Sequence, residues 1–254
     1  MSETVHPATL GGPERKSVSA ALESLRKAQK PSAGAPAYSR FVNRPLGRMI
    51  AAVAFVIGLT PNQVTAISAA FTLAGIAVIA AAPPMIVTGI AAALLLVVGY
   101  AFDAADGQLA RLRGGGSLAG EWLDHVVDAF KASLLHAAVL VSWFRFGPVD
   151  GGMLLVPLGF MVVSAVFFFC MILTDQLRRL HRGSSAMILQ RSGPTSALYA
   201  LAVVPADYGL LCVVFLLFGL PVVFAVLYTA LFAANVLVLL VCLVRWFRAV
   251  RALD

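Results

Sequence analysis

The stretch that decides the fold runs from Met85 to Asp128, "MIVTGIAAALLLVVGYAFDAADGQLARLRGGGSLAGEWLDHVVD". Its first part, Met85 to Phe102, carries no charge. Four aspartates follow at once, Asp103, Asp106, Asp124 and Asp128, in a chain of 254 residues with only twelve acidic side chains. A scarce charge is gathered at the end of an apolar run.

The rest of the chain agrees with a membrane setting. It is 60% hydrophobic and 12% charged, with a mean hydropathy of +0.91. A soluble domain carries about 25% charged residues. Several apolar runs reach the roughly 20 residues that cross a bilayer as a helix. The expectation is therefore an all-α integral membrane protein with six transmembrane helices, near 64–82, 85–109, 119–143, 152–177, 206–220 and 221–245. Pro205 and Asp207 break the apolar run that leads into the fifth. A short interfacial helix followed by a span starting near Asp207 accounts for that break. No secretory leader is read in the polar N-terminus.

Ahead of the spans, residues 1–39 read as a polar, flexible cytoplasmic segment, with one short amphipathic helix in "SVSAALESLRKAQK". Residues 40–254 form the membrane domain. In "YSRFVNRPLGRMIAAVAFVIGL", Arg40, Arg44 and Arg48 recur at helical spacing before an apolar end. This pattern predicts an N-terminal amphipathic helix at the interface, with its arginines toward headgroups.

The net charge of +7 does not point to nucleic acid. The basic residues fall on one side of the predicted spans: in the N-terminal segment, at Arg111 and Arg113, at Arg178, Arg179, Arg182 and Arg191, and in the tail at Arg245, Arg248 and Arg251. That asymmetry makes this side cytoplasmic, so the aspartates open to the cytoplasm of a cell-membrane protein. Cys170, Cys212 and Cys242 lie far apart in apolar runs and read as core residues rather than a disulfide or metal framework.

Asp103 and Asp106 are three residues apart, and Asp124 and Asp128 four, so each pair shares a helix face. The "RGGGSLAG" between them can turn sharply. Antiparallel neighbours then gather four carboxylates in one cluster. Such a cluster stays ionised only if something neutralises it, and hard divalent cations with oxygen ligands do so. Two ions, Mg²⁺ or Mn²⁺, suit phosphoryl chemistry. Small residues at Gly107, Ala110 and Gly120 permit close approach of a ligand. Arg111 is placed to clamp a diphosphate.

The pattern D-x-x-D-G-x-x-A-R, eight residues, then G-x-x-x-D-x-x-x-D is met at Asp103, Asp106, Gly107, Ala110, Arg111, Gly120, Asp124 and Asp128. It resembles the signature of the CDP-alcohol phosphotransferase family, over about residues 40–250. "TPNQVT", Thr60 to Thr65, resembles the turn before that family's first span. The resemblance implies transfer of a phosphoalcohol from a CDP-linked lipid, usually CDP-diacylglycerol, to a small alcohol acceptor, with release of CMP. It implies Asp103, Asp106 and Asp124 as metal ligands, with Asp128 completing the site and serving as base. It assigns Gly107, Ala110, Arg111 and Gly120 to the nucleotide pocket, bordered by Asn62 and Thr65, and it implies a homodimer.

The acceptor is read as a polyol phosphate such as glycerol phosphate or inositol phosphate, with a non-phosphorylated acceptor (inositol, serine or phosphatidylglycerol) as the alternative. Lys131, Arg178, Arg179, Arg182 and Arg191 are candidates to bind it. "SRFVNRPLGR" resembles the opening segment of enzymes that join inositol phosphates, whereas "VPADYGLL" departs from the arginine-rich form expected there. His136 reads as a core histidine. A cation transporter lined by intramembrane carboxylates is the rival reading. It requires acids near the midplane on several helices, and here they cluster at one face.

Overall fold

Eight α-helices follow one another in the computed structural model, which describes residues 17–27, 36–147, 151–182 and 206–253; no strand occurs among them. Helix α1 is Val18–Lys27. A tight π-helical turn, Ser39–Asn43, leads into α2, Arg44–Val56. Then come α3, Pro61–Ala81, α4, Ile86–Leu112, and α5, Leu118–Phe146. Helix α6 is Leu155–Arg182. Helix α7, Tyr208–Val214, continues as a 3₁₀ turn, Phe215–Leu217, and α8 is Pro221–Arg251.

Five helices, α3, α4, α5, α6 and α8, are long and apolar enough to cross a membrane. They coincide with five of the six expected spans. At the place of the fifth expected span, α7 and its 3₁₀ turn form a ten-residue apolar helix, about 15 Å long at 1.5 Å per residue. Its start at Asp207 is the break read from the sequence. Residues 183–205, including Arg191, lie outside the described residues.

Local chemistry sets the helix ends near the aspartates. Thr60 and Gln63 form a reciprocal capping box before α3, with Pro61 in its first turn. Ser117 caps α5 by accepting from the Gly120 amide at 3.0 Å. Between α4 and α5 the chain turns through Gly114 and Gly115, at φ 91° and 133°, which side-chain-bearing residues rarely adopt.

Small residues then let backbones meet. A Cβ on Gly99 of α4 would lie 2.3 Å from Thr72 Oγ1 and 3.0 Å from the Thr72 nitrogen of α3. Ser68 Oγ donates across the same contact to the Gly99 carbonyl at 2.8 Å. On the other side of α4, a Cβ on Gly47 of α2 would lie 2.8 Å from Ala104 Cβ. Leu25 of α1 is buried with Ala51, Ala54, Val64, Ala105 and Leu109. Apolar residues Val42, Leu46, Met49, Val53 and Ile57 make an exposed row along α2, at the spacing of one helix face.

The opposite end of the bundle is aromatic. Trp143, Phe160, Phe215, Phe218, Phe224 and Tyr228 form its core. His136 sits there as a core histidine, with Nδ1 2.6 Å from Tyr228 Oη, Nε2 2.9 Å from Ser164 Oγ, and its ring stacked on Phe160.

Asp207 ties the start of α7 to the segment before α2. Its Oδ1 caps α7 through the Gly209 amide at 3.0 Å. Its Oδ2 accepts from the amides of Tyr38 at 2.9 Å and Ser39 at 3.3 Å. Only glycine fits at position 209, since a Cβ there would lie 1.9 Å from the Tyr38 ring.

Candidate active site

Asp103 and Asp106 occupy the last turns of α4, and Asp124 and Asp128 the first turns of α5, as the two spacings predict. The close α3–α4 packing and the glycine turn bring these helix ends together. Asp103, Asp124 and Asp128 each offer an oxygen, all within 4.8 Å of one another. Asp106 is buried and turns toward α3, where Thr65 Oγ1 donates to its Oδ2 at 2.6 Å. It remains within electrostatic reach of Asp103 and Asp124.

Lys131 enters this cluster from one turn further along α5. Its ammonium donates to Asp103 Oδ1, to Asp128 Oδ1 at 3.2 Å and to Ser68 Oγ at 3.1 Å, with the residue 6% exposed. One buried ammonium against three carboxylates leaves two negative charges uncompensated when all are ionised. Such a set of oxygen donors suits a hard divalent cation.

The remaining expected residues border the cluster. Thr65 Oγ1 also lies 3.1 Å from the Pro61 carbonyl. Asn62 Oδ1 is 3.0 Å from the place of a Cβ on Gly120, so α3 and α5 approach closely there. A Cβ on Gly107 would meet only Arg111 Nη1, at 3.7 Å, which leaves the space beside it open. Ala110 and Arg111 are half-buried on the same turn of α4.

Arg179 of α6 is held by two carboxylates. Arg179 Nη1 donates to Glu121 of α5 at 2.6 Å, and its Nε lies 2.8 Å from Asp175 Oδ2. These contacts join the ends of α5 and α6. Arg178 is half-buried and Arg182 ends α6.

Two groups escaped the sequence reading. Ser68 belongs to a buried polar row, Thr65, Ser68 and Thr72, along one face of α3; its helical period was the available signal. Arg44 was read toward headgroups. It also lines a cavity of about 200 Å³ with Arg111, Asp103 and Tyr100. Burial lowers the Arg44 guanidinium from its usual value.

The model of one family, CDP-alcohol phosphatidyltransferase, matches residues 58–244. The chain belongs to the CDP-alcohol phosphatidyltransferase family. Membership makes it a transferase and agrees with the resemblance carried by the aspartate pattern. The phosphatidylinositol phosphate synthase of Corynebacterium glutamicum is 35% identical over 109 residues, 42% of this chain and 46% of that protein. The matched segment thus spans under half of that relative. Two crystal structures of the Mycobacterium tuberculosis phosphatidylinositol phosphate synthase share the fold. One, with CDP-DAG bound, aligns with a TM-score of 0.51 at 24% identity, over 82% of this chain and 93% of that one. The other, in complex with manganese and citrate, aligns with a TM-score of 0.54 at 21% identity, over 82% and 88%.

Proposed function

We propose that this chain transfers a phosphatidyl group from CDP-diacylglycerol to a hydroxyl of a polyol phosphate, such as glycerol phosphate or inositol phosphate, and releases CMP. The observation that carries this reading is the meeting of Asp103, Asp124 and Asp128 within 4.8 Å at the end of two apolar helices. A lipid donor with a water-soluble head places its diphosphate at that depth.

In this reading Asp103, Asp106, Asp124 and Asp128 hold two divalent ions, Mg²⁺ or Mn²⁺. The ions supply positive charge against the diphosphate and the departing CMP phosphate. Asp128 accepts the proton of the acceptor hydroxyl as that oxygen bonds to the lipid-side phosphorus and the bond to CMP breaks. Arg111 offers its guanidinium fork to the diphosphate. Asn62, Thr65, Gly107, Ala110 and Gly120 shape the nucleotide pocket, and the open space beside Gly107 supports this. Thr65 holds Asp106 by its hydrogen bond, and Lys131 keeps Asp103 and Asp128 facing one another.

The same reading places α2 in the cytoplasmic interface with its exposed apolar row toward lipid, and α7 within a sixth crossing. The basic sides of the loops put the site on the cytoplasmic face of the cell membrane. Residues 1–39 form a cytoplasmic extension, and two chains associate as a homodimer.

The test is CMP release by purified protein with CDP-diacylglycerol and Mg²⁺ or Mn²⁺, offered phosphorylated and neutral acceptors. Release with a polyol phosphate, lost in Asp128→Asn, is expected. Silence with every acceptor, together with metal uptake into vesicles, would establish the transporter instead.

A further inference from the structure

At the end of the bundle that holds the aspartates, three further charged side chains join α5 to α6. Arg179, in the last turn of α6, donates through Nη1 to Glu121 Oε1 at 2.6 Å. Its Nε lies 2.8 Å from Oδ2 of Asp175, one turn earlier on the same helix, an ion pair without the alignment of a hydrogen bond. Glu121 stands in the first turn of α5, and Asp175 is only 6% exposed. Glu121 and Arg179 each suit their helix end, an acid at a start and a cation at a finish.

The charges of this trio do not favour an anion. Two carboxylates face one guanidinium, so Arg179 has little positive charge left for a phosphorylated acceptor. Stability does not account for the arrangement either. The side chains of Arg179 and Glu121 are 34 and 35% exposed, and a pair this open to water contributes little. Beside it a carboxylate has given up its hydration, and Asp175 Oδ1 has no partner among the described residues. What the buried acid does is fix the guanidinium. With Nε held at Asp175 on its own helix, the rigid fork aims Nη1 across to α5.

The place of Glu121 gives that clamp its use. Glu121, Asp124 and Asp128 follow at spacings of three and four, on one face of α5. Glu121 is within electrostatic reach of Asp124. It stands one turn, about 4.5 Å of helix rise, ahead of that residue, whose oxygen lies within 4.8 Å of oxygens of Asp103 and Asp128. A glutamate side chain spans one turn. Released from Arg179, Glu121 brings another carboxylate to the cluster, and a hard cation that takes six or more oxygens accepts it. Lys131 closes the cluster from deeper along α5. Glu121 stands at its outer edge.

We propose that Arg179 is a positioning residue: anchored by Asp175, it holds the Glu121 carboxylate away from Asp103, Asp124 and Asp128, and so reserves the metal site for its aspartates and the donor diphosphate. The proposal rests on the transferase reading above. It gives Arg179 a role exerted through Glu121 rather than through contact with the acceptor.

The experiment compares wild type, Arg179→Met, Arg179→Lys, Glu121→Gln and the double variant Arg179→Met with Glu121→Gln, each purified in detergent or nanodiscs. Two quantities are read: Mn²⁺ affinity without substrates, from the spin resonance of free Mn²⁺, and initial rates of CMP release. Arg179→Met should bind Mn²⁺ more tightly and lose kcat, each by roughly 10- to 100-fold, with the KM for the acceptor unchanged. Glu121→Gln alone should resemble wild type. Adding it to Arg179→Met should restore both quantities, because the freed carboxylate is what does the harm. Arg179→Lys should fall between, since charge remains and the fork is lost. Unaltered Mn²⁺ affinity in Arg179→Met would overturn the proposal and leave a join between helices. A raised acceptor KM that Glu121→Gln does not rescue would overturn it too, and would return Arg179 to the acceptor. Wild type that releases no CMP with any acceptor would sink the transferase reading, while the Mn²⁺ titrations would still decide the role of Arg179. If Arg179→Met does not fold, Asp175→Asn frees the same guanidinium from its anchor and should shift both readouts in the same direction.

Discussion

The helices α3, α4 and α5 and the helices α6 and α8 solve the same membrane problem differently. In the most apolar part of the first three, 39, 33 and 39% of residues are buried within the protein; in α6 and α8 the figure is 11%. The first group meets through Gly99, Thr72 and Ser68, with almost no side chain between the backbones of α3 and α4. The second packs through large rings such as Phe160 and Tyr228 and leaves residues such as Leu237 and Val241 bare. Lipid is as apolar as leucine, so burying apolar surface gains little between helices in a bilayer. Close backbone contact and buried polar groups are therefore spent where they have chemical use. The carboxylates meet because α3, α4 and α5 approach that closely.

Substitutions can test this contrast, the largest effects falling at the acidic end. Asp128→Asn should slow CMP release by about 10² to 10⁴-fold by removing the proton acceptor, while the melting temperature changes little. Lys131→Met removes the buried cation from among Asp103, Asp124 and Asp128. Metal-free protein should lose about 3–5 kcal/mol of stability, and saturation with Mn²⁺ should recover much of the loss in a melting experiment. Gly99→Ala inserts a methyl group 2.3 Å from Thr72 Oγ1. The overpacking should cost about 1–3 kcal/mol and reduce turnover as well, since Ser68, the partner of Lys131, sits in that contact.

The aromatic end should respond more mildly. Tyr228→Phe removes the hydroxyl beside His136 but keeps the ring, at a cost of about 0.6 kcal/mol with turnover unaltered. Leu237→Ala on the bare face of α8, 65% exposed, should change stability by under about 0.5 kcal/mol. An effect from Leu237→Ala as large as that from Gly99→Ala would show that α8 is covered by protein, and the contrast would fail.

The acidic site was legible in the sequence because its signals are local. Pair spacings of three and four, a glycine turn and two apolar runs are enough to put Asp103, Asp106, Asp124 and Asp128 at adjacent helix ends. Lys131 was half legible. Its i, i+3 spacing from Asp128 offered that contact beside the reading as an acceptor ligand, but its contacts with Asp103 and Ser68 depend on how helices pack. The place of Arg44 beside the cavity was not legible, because its spacing with Arg40 and Arg48 describes a helix face, not what covers it. The match between the Asp207 carboxylate and the Tyr38 and Ser39 amides spans well over half the chain, and no periodicity carries such a pairing. Asp207 could be read only as a break in an apolar run.

That pairing also sets an order of assembly. The ribosome delivers Tyr38 and Ser39 early, yet the carboxylate that accepts from their amides arrives 169 and 168 residues later. All four motif aspartates are made before it. A nascent chain thus carries its full set of reactive acids before the segment ahead of α2 can be tied to α7.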